Sequence, residues 1–321
     1  MANKRVLWAD NLKGFLILLV VAGHVLQSAI DTHINGIYMK EIFNWIYSFH
    51  MPLFFLISGF VYSLTLRKIL MCDDFWKKWR RRIYTLTYLY FCYSFLMWVV
   101  KYFFLHRAVK ESVDLMTLVL LPLYPISVYW FLYLLLGFFL IIPIIEKEIG
   151  LINYSCLFIF IVIQCVSIHV ELPFYLNRFF YMLPFFLVGM FTCKFVYMNK
   201  LAVISTFMLV LMYIYEIQFP HATPEWALIR SYLWCIVFII IFNKYLNYDS
   251  TILTNAGQQC LAIYLFHPYG VAGLKLLLVK LGVLGWMYVC LNLTMSLLIS
   301  YLIAEMTKTT ILKRWLYSPI N

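Results

Sequence analysis

Three histidines stand inside apolar runs of this chain: His24 in WADNLKGFLILLVVAGH (8–24), His50 in SFHMPLFFLISGF (48–60) and His267 in LAIYLFHPY (261–269). An ionisable group at membrane depth is costly, and by default it faces the interior of a bundle and has a role there. Imidazole also takes and gives a proton near neutral pH, which suits general acid and base work. A single such histidine is equally well explained as a core group bonded to a neighbouring helix. Three at overlapping depth favour a shared polar cavity, with His24 the candidate general base and His50 and His267 candidates for orienting an acceptor or an oxyanion. Lys13 stands at the entrance of the His24 run. On a helix rising 1.5 Å per residue it precedes His24 by about 16 Å, a span that suits the two ends of one long substrate.

Other polar groups lie near the ends of these runs. Asp10 is open to three roles: helix cap, partner of Lys13, or substrate contact. Ser58 and Gly59 follow Pro52, and small residues with proline in an apolar helix serve either close packing or a polar cavity. The run KKWRRR, from Lys77 to Arg82, suits membrane orientation, anionic lipid or the phosphates of a nucleotide-like ligand, because arginine holds phosphate oxygens bidentately. Trp130 fits an aromatic belt and Arg178 a snorkelling group, with contact to an acidic or sugar substrate as the alternative for each.

These groups need a scaffold, and composition says what kind. Of 321 residues, 64% are hydrophobic and only 12% charged, with a mean hydropathy of +0.87. That is too little charge to cover a soluble globule, so the chain is read as an all-α integral membrane protein. The 25 Lys and Arg against 14 Asp and Glu cluster in short loops, as orientation in a membrane requires, and a nucleic-acid partner is therefore excluded. Eight cysteines without a CxxC pair read as small core residues rather than disulfides or zinc ligands, and no metal is expected.

Apolar runs of about 20 residues predict ten helices, near 11–30, 43–66, 83–105, 124–145, 151–168, 178–197, 200–217, 227–246, 258–280 and 284–306. Leu115 to Leu123 is a candidate interfacial helix. Lys4, Arg5, Arg67, Lys68, the KKWRRR run, Lys147, Lys194, Lys200, Lys244, Lys313 and Arg314 fall on one side of this arrangement. The positive-inside rule then places both termini in the cytoplasm. No polar stretch is long enough for an appended soluble domain, so residues 1–321 are expected to form one transmembrane domain.

The stretches RVLWADNLKGFLILLVVAGH (5–24), FHMPLFFLISGF (49–60), the basic run, WFLYLLL (130–136), PFFLVGM (184–190) and NAGQQCLAIYLFH (255–267) together resemble the membrane-bound acyltransferase family 3. Its members transfer acyl groups, usually acetyl, to carbohydrates. The resemblance implies a basic-residue-then-histidine motif on Lys13 and His24, with His24 essential. It also puts the family's Ser-Gly on Ser58 and Gly59, and its paired arginines within Arg80, Arg81 and Arg82. The arginine-three-before-arginine spacing is absent, since Lys78 precedes Arg81 at that distance. The implied activity moves an acetyl group from cytoplasmic acetyl-CoA, the co-substrate, to a hydroxyl of a surface or lipid-linked carbohydrate. His24 would serve as base or acyl carrier, and Lys13 and Arg80 to Arg82 would hold the donor phosphates. The expected location is a bacterial inner membrane, among lipids, as a monomer or homodimer. The rival reading is a proton-coupled transporter or flippase, but the related halves typical of transporters are not seen.

Overall fold

The computed structural model describes residues 6–34, 36–70, 74–105, 113–149, 154–173, 175–192, 199–218 and 223–308. Among them the regular secondary structure is helical, with no strand. Its helices are α1 (Leu7–Asp31), α2 (Met39–Tyr47), α3 (His50–Leu70), α4 (Phe75–Val100), α5 (Leu115–Val119), α6 (Trp130–Ile149), α7 (Tyr154–Ser167), α8 (Leu176–Phe191), α9 (Asn199–Gln218), α10 (Pro224–Tyr245), α11 (Thr251–Gln258), α12 (Cys260–Lys280) and α13 (Gly285–Lys308). Lys4, Arg5, Cys72, Cys193, Lys194, Lys313 and Arg314 lie outside the described residues, as do the side chains of Arg67 and Lys68.

Among the described residues, eight helical stretches are long and apolar enough to cross a membrane, and two more, Ser155–Ser167 and Leu176–Phe191, are apolar but shorter. A chain with this many such stretches is an integral membrane protein. Val203, Phe207, Val210 and Ile217 of α9 are more than half exposed, an apolar face that only lipid or another apolar surface would cover. Of the cysteines, Cys235 and Cys260 are buried, but Cys92, Cys165 and Cys290 are exposed. The expectation that these are core residues therefore holds for only some of them.

Several boundaries differ from the sequence expectation. The second predicted helix is two, broken at Ser48–Phe49, because the apolar pattern runs across the break and conceals it. The third begins at Phe75, so the basic run lies in the first turns of α4 and not in a loop. The ninth is preceded by a separate helix, α11. Leu115–Val119 is a single short helix whose start is closed by Asp114 and Thr117 in a reciprocal capping box. Hydrogen bonds from the Thr117 hydroxyl and amide hold the Asp114 carboxyl below the usual carboxylate range.

The chain forms two compact units, Met1–Val61 with Phe185–Ala304, and Tyr62–Pro184 with Glu305–Asn321. In the first, α1 meets α11 backbone to backbone. A Cβ on Gly14 would strike the Leu253 carbonyl, and one on Gly257 would strike the Asp10 carbonyl. Gly59 and Gly189 have the same reciprocal relation to the carbonyls of Phe186 and Leu56. Small residues at crossings of this kind let helices approach closely where no hydrophobic effect drives them together.

Proline shapes two of the helices that carry the histidines, α3 and α12, and α6 as well. A proline has no N–H, so the carbonyl four residues earlier loses its helical donor. Pro52 leaves the Ser48 carbonyl, and the Ser231 hydroxyl of α10 donates to it at 2.6 Å. In the second unit Pro143 leaves the Phe139 carbonyl, which accepts from the Trp79 indole N–H at 3.2 Å. Ser231→Ala is expected to cost about 1–3 kcal/mol, read as a lower apparent unfolding temperature in detergent. Adding Pro52→Ala, which restores an amide at that carbonyl, should recover most of the loss. No coupling between the two substitutions would contradict this account.

Candidate active site

In the first unit, α1 brings His24 against α12, where its ring stacks on His267 with centroids 5.3 Å apart and planes 30° from parallel. His24 is partly exposed, and its ring nitrogens have no hydrogen-bond partner among the described residues. His267 is 0% exposed. Its Nδ1 meets the carbonyls of Tyr264 at 2.8 Å and Ile263 at 3.1 Å. A carbonyl only accepts, so Nδ1 carries the hydrogen and Nε2 the lone pair. The cause lies in the sequence: Pro268 deprives the Tyr264 carbonyl of its amide partner, and the neighbouring imidazole donates in its place.

His50 opens α3, immediately after the break that follows α2. Its Nδ1–H reaches back 2.8 Å to the Ile46 carbonyl, which also accepts the Phe49 N–H at 3.3 Å at the end of α2. It is buried, and the Tyr47 ring meets it edge-on at 4.7 Å. Tyr47 also lies against Gly23. Tyr47 thus lies between His50 and the turn of α1 that carries His24, and His24 in turn meets His267. Ser58 lies lower on α3 and donates to its own Phe54 carbonyl at 2.7 Å.

At the start of α1, Lys13 and Asp10 pair at 2.7 Å, which realises one of the roles open to Asp10. Beside them Asn11 is fully buried and fully bonded. Its amide donates to the Leu246 and Tyr248 carbonyls at 2.7 and 2.8 Å, and its oxygen accepts from Thr254 at 2.7 Å.

In the second unit the three arginines diverge, because successive helical residues point about 100° apart. Arg80 and Arg81 are exposed, and Arg80 donates to the Trp76 carbonyl of its own helix. Arg82 turns inward, its guanidinium 4.7 Å from the Phe139 ring centre and 5.4 Å from that of Tyr62. It also reaches the Thr65 hydroxyl at 3.4 Å. Trp130 and Arg178 come together, with the guanidinium 4.9 Å from the indole and 5.3 Å from the Tyr175 ring. Tyr175 and Ser127 both have positive φ, 63° and 53°. Among the described residues no cluster of three or more His, Cys, Asp and Glu side chains could hold a metal ion.

Sequence reasoning missed a polar ladder on α13. Tyr288, Asn292, Ser296 and Ser300 recur every fourth residue, on one face of the helix. The Asn292 amide donates to the Tyr288 hydroxyl at 3.2 Å and to the Val271 carbonyl at 3.4 Å. Ser296 donates to Asn292 Oδ1 at 2.9 Å, and Ser300 to the Ser296 carbonyl at 2.7 Å. The Tyr288 hydroxyl meets Ser28, one turn past His24, at 2.8 Å. The regular spacing of polar residues in an apolar helix was the available signal.

An acyltransferase domain family model matches residues 6–305. The nodulation protein NolL of Sinorhizobium fredii is 44% identical over 71 residues, 22% of this chain and 19% of that protein. NolL of Mesorhizobium japonicum is 46% identical over 61 residues, 19% of this chain and 16% of that protein. The chain thus spans less than a fifth of the length of these curated relatives. No solved structure matches it.

The ladder ties the His24 helix to α13, so Tyr288→Phe is expected to cost about 1–2 kcal/mol. The check is the apparent unfolding temperature in detergent, and an unchanged value would remove the Ser28 contact as a support of the site.

Proposed function

The chain belongs to the acyltransferase 3 family, and from that premise we propose that it is a membrane O-acyltransferase in which His24 is the general base. The donor in this reading is acetyl-CoA, and the acceptor is a hydroxyl of a surface or lipid-linked carbohydrate. His24 takes the hydroxyl proton as the oxygen attacks the acyl carbonyl carbon. The carbon–sulfur bond then breaks, its electron pair stays on sulfur, and His24 returns the proton to give the free thiol.

One observation carries the reading. A histidine without hydrogen-bond partners among the described residues, and partly exposed, lies in an apolar helix against a second, fully buried histidine. His24 is thereby accessible to a substrate and surrounded by groups that do not occupy its nitrogens. Lys13 is proposed as a phosphate-binding group of the first unit, and Arg80, Arg81 and Arg82 as phosphate-binding groups of the second, each from the family motif position it occupies. Arg82 is the best organised of them, because the aromatic rings beside it fix its planar fork. Trp130 with Arg178 offers a flat apolar face and a cation to an acceptor sugar, and Ser58 and His50 complete the proposed catalytic set. Both termini are proposed to lie in the cytoplasm, in one transmembrane domain of the inner membrane.

Native membranes supplied with radiolabelled acetyl-CoA test the reading through label incorporated into extracted glycan. His24→Ala is expected to lower incorporation by about 100-fold or more while the protein remains folded in the membrane, and retained incorporation would overturn the assignment. Arg82→Gln is expected to raise the donor KM by roughly tenfold, the loss of one charge-assisted hydrogen bond, with the acceptor KM unchanged. An unchanged donor KM would remove Arg82 from the donor site.

A further inference from the structure

The Nε2 of His267 is one of the buried polar atoms of the first unit left without a hydrogen-bond partner among the described residues. Nδ1 of the same ring is held by two carbonyls of its own helix. A buried acceptor left unpaired costs free energy, so its presence calls for a donor that the resting arrangement does not supply. A candidate lies beside it in His24, whose ring is 5.3 Å away, centre to centre. Two imidazoles joined by an N–H···N bond of ordinary length have centres about 5 Å apart. The centre-to-centre separation matches that of a bonded pair, and turning the His24 ring out of the stack so that an N–H lies toward Nε2 would make the bond.

We propose that His267 is the positioning residue of His24, its Nε2 accepting an N–H of His24 during acyl transfer. This rests on the general-base reading of His24 above and assigns what sets that base in order. A neutral imidazole has two tautomers, and only one presents its lone pair to the acceptor hydroxyl. With one N–H engaged by His267, the other nitrogen of His24 is left as the base. It takes the hydroxyl proton, becomes an imidazolium that still donates to His267, and passes that same proton to the leaving sulfur. His267 neither gains nor loses a proton. Its own tautomer is set by the missing amide of Pro268, so the His-Pro pair transmits a helix irregularity to the catalytic base. The fixed geometry also makes neutral His267 an acceptor, which suits a hydrogen-bond donor and not the oxyanion that the sequence reading left open.

Two substitutions separate positioning from mere repair of the helix. His267→Asn retains an N–H for the Tyr264 carbonyl but has no acceptor at the Nε2 position. His267→Gln retains an acceptor there. In native membranes with radiolabelled acetyl-CoA, the Asn variant is expected to lose on the order of 10–100-fold in maximal rate, with the donor KM unchanged. The Gln variant should stay within about fivefold of the parent protein. A purely structural role predicts the reverse order, and that order, equal losses or two unimpaired variants would each overturn the proposal. His24→Ala is assayed alongside: activity retained there defeats the general-base reading itself, whereas its loss together with a reversed Asn and Gln order defeats only the role of His267.

Discussion

Inside a membrane a backbone carbonyl has no water to turn to, and this chain depends on how that demand is met where proline removes a donor. At Pro52 the Ser231 hydroxyl answers it, at Pro143 the Trp79 indole, and at Pro268 the ring of His267. The first two are bonds between helices and so also fix packing. The third stays within α12, and its consequence is chemical, because it decides which nitrogen of His267 bears a hydrogen. A constraint on folding thereby becomes a constraint on the site.

The rest of the first unit holds that arrangement still. Glycines at 14 and 257 let α1 and α11 approach to backbone contact, and Asn11 bonds α1 to the segment after α10 and to α11. At the other end of α1, Ser28 is bonded to the ladder on α13. His24 lies between these anchors. In the proposed reaction, a base held from both ends of its helix would need little reorganisation when charge develops on it, which is what preorganised catalysis requires. The second unit is organised around aromatic contacts to cations, with Arg82 beside Tyr62 and Phe139 and Arg178 beside Trp130 and Tyr175.

The helices were legible because apolar runs of membrane-spanning length report burial directly. The break before His50 was not, since the residues on either side of it are equally apolar and only Pro52 hinted at a change. The basic run was read as a loop because its charges mask the helical pattern, and placing it in α4 is what sends Arg80, Arg81 and Arg82 in different directions. Histidines 24, 50 and 267 could be singled out by type, but the stack between His24 and His267 depends on α1 lying beside α12, a long-range pairing that periodicity does not encode. The bond from His267 to the Tyr264 carbonyl that Pro268 frees is, by contrast, local, and the adjacent His-Pro pair is its signal in the sequence.

The central claim is that the acyl group is transferred at His24. It is tested most directly by an experimental structure of the protein holding a thioether analogue of acetyl-CoA, in which the scissile bond cannot be cleaved. The account predicts the acyl carbonyl carbon within about 4 Å of the His24 ring, with space for a hydroxyl between them. An analogue bound with its acyl end away from His24, and no part of the donor facing that ring, would contradict it.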